Sequence, residues 1–191
     1  LHTAAKLRMH SQPRLAALGN MPSSSSAMCI SPVGIANACN PRAAAAQAYG
    51  LAGLIHVHDV SFCQDGAAAM AAAVAEAFKP ETSRDAVVEA ALGAMLPWSG
   101  EELRSLVAEI MEVALANVDY KGFRAEVYSR QTSFFRRITC DSRETVPITL
   151  ALFWLADGDV EKCVTYGANF GRDADTIATM MASGRSISAL V

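Results

Sequence analysis

The stretch SGEELRSLVAEIMEVALAN (residues 99–117) reads as one amphipathic helix. Leu103, Leu106, Val107, Ile110, Val113, Ala114 and Asn117 fall at helical spacing, while Glu101, Arg104, Glu109 and Glu112 lie elsewhere on the wheel. Ser99 with Glu102 has the form of a capping box at its start. Leu103, Leu106, Val107 and Ile110 are the expected core positions.

Working outward, the same period runs through most of the chain. Asn40-Pro41 is a cap followed by proline at the first helical position, opening an alanine-rich helix towards Leu51. Asp65-Gly66 precedes a second alanine-rich segment, which Lys79-Pro80 stops. Thr82 with Asp85 is expected to cap a helix reaching about Leu96, and Ser142 to cap one through Ile148, Leu152 and Leu155. Asp157-Gly158-Asp159 is a turn able to cap a short helix over 160–168. Residues 126–139 look least helical and are read as a loop. No segment alternates as a strand does, and no repeat or long linker divides the chain. The expectation is an all-α, compact, many-helix bundle in which alanines let helices approach closely.

Hydrophobic residues make up 52% of the 191 and charged residues 18%, which excludes a disordered chain. The net charge of −3 argues against a nucleic-acid groove. Arg136-Arg137 is the only adjacent basic pair and reads as solvated surface. Five irregularly spaced cysteines without a C-x-x-C pair fit reduced thiols, a cytoplasmic setting and no zinc site. No apolar run has the roughly 20 residues of a membrane span, so no membrane partner is expected. The segment from Leu1 to Gly19 lacks the apolar block of a signal peptide. Both ends are read as truncations, a processed product being the alternative.

The chemistry concentrates in ANFGRDADTIATMMA (residues 168–182). Asn169 and Gly171 suit a helix end and a tight turn, and Ile177 begins the next helix. Asp173, Asp175 and Thr176 therefore crowd that helix's start. Two carboxylates and a hydroxyl are hard oxygen donors, suited to Mg²⁺, Mn²⁺ or Ca²⁺ and not to zinc. The plain alternative is an N-cap at Asp173 and a first-turn acid at Asp175.

GRDADTIA (171–178) resembles the G-x-D-x-D-T-hydrophobic-A signature of the ADP-ribosylglycohydrolase family, which includes the dinitrogenase-reductase-activating glycohydrolases. Three further stretches resemble the family in order. SSSAMCISPVG (24–34) is similar to its small-residue loop followed by A-M-R-I-x-P-V-G. Leu54-Ile55-His56 lies where the family has a T-H pair. Glu144-Thr145-Val146-Pro147 with Ala151-Leu152-Phe153-Trp154 is similar to its penultimate helix. The likeness spans about 22–184.

The resemblance implies an orthogonal all-α bundle around two Mg²⁺ (or Mn²⁺) ions, with residues 1–191 a single domain forming the C-terminal two-thirds of such a unit. It implies hydrolysis of the glycosidic bond joining ADP-ribose to a protein side chain or small acceptor. The alternatives are a hydrolase of another ribosyl compound and a non-catalytic, crystallin-like relative. Asp173 and Asp175 would be catalytic and, with Thr176, metal ligands. Ser24, Ser25, Ser26, Met28 and His56 would bind substrate. His56, taken alone, is also read as a local hydrogen-bonding residue. The chain departs from the pattern in lacking an adjacent Asp pair, so the first metal's ligands are expected upstream of Leu1 and the fragment is expected to be inactive alone. Arg172 stands where the family often has Gly, and Cys29 where it often has Arg.

Overall fold

The computed structural model describes residues 2–117 and 119–182. Among these there are twelve α-helices and no strand. They are α1 (His2–Arg8), α2 (Ser25–Met28), α3 (Ser31–Ala36), α4 (Pro41–Ala52), α5 (Phe62–Ala77) and α6 (Arg84–Ala94). Then follow α7 (Glu101–Ala116), α8 (Tyr120–Ser129), α9 (Gln131–Phe134), α10 (Ser142–Leu155), α11 (Val160–Phe170) and α12 (Ala174–Ala182). The all-α expectation holds.

The bundle is arranged around α5. Every residue of this helix except Phe62 and Gln64 is buried, and α2, α3, α4, α6, α7 and α10 all pack on it. Such encirclement is possible because α5 presents mostly alanine, so neighbours approach without large side chains between them. The second axis is α10, whose residues are buried from Ser142 to Phe153 apart from Arg143. It packs on α7 on one side and on α12 on another. The amphipathic reading of α7 is correct in detail: Leu103, Leu106, Val107, Ile110, Val113 and Ala114 are buried.

Several boundaries move by a residue or more, each for a tertiary reason. The Ser99–Glu102 capping box does not form. Gly100 occupies the cap, the Ser99 hydroxyl faces Asp65, and Glu102 turns to Arg143 Nη1 at 3.3 Å. Ser83, not Thr82, caps α6, accepting from the Ala86 N–H at 3.1 Å. Asp141, not Ser142, caps α10, accepting from the Arg143 N–H at 2.9 Å. Helix α5 starts before Asp65, whose buried carboxylate instead accepts from the Leu96 N–H at 2.7 Å. The expected loop over 126–139 is largely helical, because α8 and α9 run through it to Phe134. The Asn40 and Asp159 caps stand as read, each accepting an N–H three residues on.

Close approach of α11 to α12 sets the geometry of the turn between them. A Cβ placed on Gly167 would lie 2.7 Å from the Ala178 Cα and 2.9 Å from its N, backbone atoms that cannot yield. Among the described residues, no helix is long and apolar enough to cross a membrane.

Two stability outcomes follow from this packing. Leu103→Ala empties a fully buried position and should cost about 2–5 kcal/mol in urea unfolding. Gly167→Ala should cost about 1–3 kcal/mol by overpacking, despite alanine's better helix propensity. A neutral or stabilising Gly167→Ala would show that α11 and α12 are further apart.

Candidate functional site

The turn between α11 and α12 is built by two consecutive left-handed residues. Gly171 has φ 94° and Arg172 φ 60°. Gly171 has no substitute, since a Cβ there would also strike the Tyr128 hydroxyl. The helix end is pinned from α8: Arg124 Nε and the Tyr128 hydroxyl both donate to the Phe170 carbonyl, at 2.8 and 3.0 Å. An arginine in the left-handed region costs about 1–2 kcal/mol. Its side chain supplies the compensation. Arg172 Nε donates to Glu144 Oε1 at 2.6 Å, and Nη2 donates to Glu144 Oε2 and to the Arg136 carbonyl, both at 2.7 Å. The guanidinium lies over the Phe135 ring, 4.6 Å from its centroid. Glu144, whose side chain is 0% exposed, also accepts from the Arg136 N–H at 2.7 Å. A buried carboxylate is tolerable when paired in this bidentate way.

Next to this clamp lie the three residues read as metal ligands. Asp173 is half-buried, Asp175 exposed and Thr176 buried. Burial pushes the Asp173 carboxyl above the usual carboxylate range, and the Asp175 and Glu144 carboxylates push the same way, while the Thr176 hydroxyl opposes them. Asp173 Oδ2 is buried and has no hydrogen-bond partner. Thr176 Oγ1 reaches Met28 Sδ at 3.5 Å, which brings α2 onto the start of α12. The donor chemistry fits a hard divalent cation: all oxygen, two carboxylates, one carboxylate oxygen buried and unpaired. Among the described residues, no group of three or more His, Cys, Asp and Glu side chains is placed to hold a metal ion. Asp173 and Asp175 are two such groups, and Thr176 adds a hydroxyl.

The serine stretch, expected as a loop, runs into α2, which begins at Ser25, and is tied to the start of α10. The Ser24 N–H and Oγ both donate to the Cys140 carbonyl, at 2.6 and 3.0 Å. Ser142 Oγ donates to the Ser23 carbonyl at 2.9 Å. His56 sits beneath the loop with no exposed surface. Its Nε2 meets Ser23 Oγ at 3.1 Å and its Nδ1 meets Ser26 Oγ at 2.9 Å. Ser26 Oγ also donates to the Cys63 carbonyl at 3.3 Å. One assignment satisfies every group: Ser26 gives its proton to Cys63, Nδ1–H donates to Ser26, and Ser23 donates to Nε2. The imidazole is then neutral, in accord with burial lowering its pKa to about 4.

The residues read as substrate-binding thus divide. Met28 meets Thr176, and Ser25 is exposed. Ser24, Ser26 and His56 are buried and engaged with one another, with Ser23 or with backbone, and His56 makes local hydrogen bonds through both ring nitrogens. A cleft of about 540 Å³ between α4 and α6 is lined by Arg42, Tyr49, Leu96 and small residues, and none of the sequence-predicted site residues lines it. The reading of the sequence missed the Arg172–Glu144 pair. The available signals were a lone carboxylate opening an apolar helix and an arginine at a glycine-like position.

The state of His56 fixes a pH dependence. Its folded pKa, about 4, lies below its ordinary 6.5, so its contribution to stability is complete above pH 6.5 and is lost as pH falls towards 4. Across that window the wild type should lose up to about 1.4 kcal/mol per pH unit more than His56→Gln. Parallel pH profiles of thermal unfolding would place a charged or solvated imidazole there.

The model of one protein family, ADP-ribosylglycohydrolase, matches residues 2–183. Neither curated proteins nor solved structures give a match. The match covers nearly the whole chain, including the serine loop and the turn into α12, and the helical architecture agrees with it. The chain belongs to the ADP-ribosylglycohydrolase family and is by that membership a glycohydrolase-type enzyme.

Proposed function

We propose that this chain serves the metal-dependent hydrolysis of the glycosidic bond linking ADP-ribose to a protein side chain or small acceptor. The observation that carries the reading is the buried, unpaired Asp173 Oδ2 beside Asp175 and Thr176. An orphaned carboxylate oxygen is costly unless something else neutralises it, and a Mg²⁺ or Mn²⁺ ion would do so. Asp173, Asp175 and Thr176 are the residues that would hold the ion. A second Mg²⁺ requires further oxygen ligands than these three supply. When bound, such ions orient ribose hydroxyls and lower the pKa of water.

The chain's own residues have separate tasks in this reading. Asp173 and Asp175 bring negative charge to the start of α12, where the helix dipole favours it. Thr176 fixes Met28 against the same point, so α2 forms a wall beside the carboxylates. Ser25 offers the exposed hydroxyl of the serine loop to the polar part of an ADP-ribosyl group. Ser24, Ser26 and His56 keep that loop in place from behind.

With two carboxylates and one hydroxyl as protein ligands, the 191-residue chain should bind Mg²⁺ only in the millimolar range or weaker, because Mg²⁺ dehydrates reluctantly. Any ADP-ribose release from modified protein should require added Mg²⁺ or Mn²⁺ and be lost with a chelator. Calorimetric Mg²⁺ titration checks the first statement, with Asp175→Asn expected to remove the remaining binding and leave the circular dichroism unchanged. An ADP-ribose release assay, run beside a nucleoside hydrolysis assay, checks the second. Micromolar Mg²⁺ affinity would show that the ligand set is larger than these three residues, release that survives the chelator would overturn the metal dependence, and nucleoside cleavage would reassign the substrate.

A further inference from the structure

Arg172 and Glu144 have a task that neither a surface arginine nor a core glutamate ordinarily has. Both oxygens of Glu144 are occupied, Oε1 by Arg172 Nε and Oε2 by Arg172 Nη2 and the Arg136 N–H. The third tie, from Arg172 Nη2 to the Arg136 carbonyl, joins the loop after α9 to the same guanidinium. The arginine so held is the residue directly before Asp173 and sits in the left-handed region. Three side-chain hydrogen bonds therefore hold the arginine in this backbone conformation. Asp173 is kept where its Oδ2 finds no protein partner.

The geometry points to the Arg172–Glu144 pair as the positioning device for the carboxylates of Asp173 and Asp175. It holds the turn in a cation-ready form before any cation arrives. The pair does a second thing. Glu144 is a further carboxylate tied to the same turn, through the Arg172 side chain. By filling both Glu144 oxygens, Arg172 makes that residue a support for the site and not a member of it. Counting formal charges, Glu144, Asp173 and Asp175 contribute −3 and Arg172 +1, a net −2 that one divalent ion would balance. The inference rests on the metal-binding reading of Asp173 and Asp175, and its test is arranged so that the two can fail separately.

The decisive variant is Arg172→Lys. It keeps the charge and loses the planar fork that grips both Glu144 oxygens. Two readouts are taken on the full 191-residue chain. The first is amide hydrogen exchange over residues 171–176 with no metal present. The second is Mn²⁺ affinity by electron paramagnetic resonance, with Asp175→Asn as the blank. We expect faster exchange in Arg172→Lys and a Mn²⁺ affinity lower by about 10-fold or more, the usual effect of losing a residue that orients a metal ligand. Glu144→Gln, which keeps the shape and weakens the grip, should move both readouts the same way, and thermal unfolding reports whether either variant is folded. Unchanged exchange in folded variants overturns the positioning role, whatever happens to Mn²⁺. Increased Mn²⁺ affinity overturns it too, since Glu144 would then be joining the site. If the wild type binds Mn²⁺ no better than Asp175→Asn, the metal reading falls, and the exchange data alone decide whether the pair fixes the turn.

Discussion

The cap and first turn of α10 carry four buried polar side chains, Asp141, Ser142, Glu144 and Thr145, and the site depends on how the first three are satisfied. Burial leaves such groups no water, so each must find a protein partner. Asp141 caps its own helix and pairs with Arg143 Nη2 at 2.8 Å. Ser142 donates to the Ser23 carbonyl, and Glu144 takes Arg172 and the Arg136 N–H. These are different partners from distant parts of the chain. The serine loop and the turn into α12 are thereby referred to the same rigid point, although nearly 150 residues separate them.

That point is rigid because of what lies behind it. From Val146 to Phe153, α10 is buried against α5, α7 and α12. The alanines of α5 and the missing side chain of Gly167 let backbones come close, and close-packed backbones transmit position better than long, rotatable side chains do. The Tyr128 and Arg124 contacts to the Phe170 carbonyl add a second fixed end to the turn. Its left-handed residues are thus held from α8 on one side and from α10 on the other.

How far the sequence could be read follows the range of the interactions. Helix α7 was legible almost residue by residue, because one buried face and one wet face leave a periodic trace. Caps were legible where nothing competes for the side chain, as at Asn40 and Asp159. They failed where a tertiary partner does. Ser99 is drawn to Asp65 and Ser142 to Ser23, so the neighbouring residue becomes the cap. The end of α8 and all of α9 were read as loop because Tyr128 and Arg130 spend their polar atoms on other elements, which leaves a weak local pattern. In the site, the D-x-D-T run was visible as a cluster of oxygens. Glu144 was visible only as a stretch of resemblance, and Arg172 only as a departure, since a pair 28 positions apart leaves no trace in either neighbourhood.

The departure at position 172 then has a physical account. A glycine there would adopt φ 60° without strain and leave the turn free to move. Arginine is strained at the same φ, and the strain is held in place by a bidentate grip on a carboxylate that would otherwise be buried with only the Arg136 N–H as partner. Each half requires the other: Glu144 without Arg172 is an uncompensated buried charge, and Arg172 without Glu144 has little to keep it left-handed. The unpaired oxygen on Asp173 is what remains when a turn is held this firmly on both sides. The turn is thereby fixed at the residue directly before Asp173, whose Oδ2 is buried and unpaired.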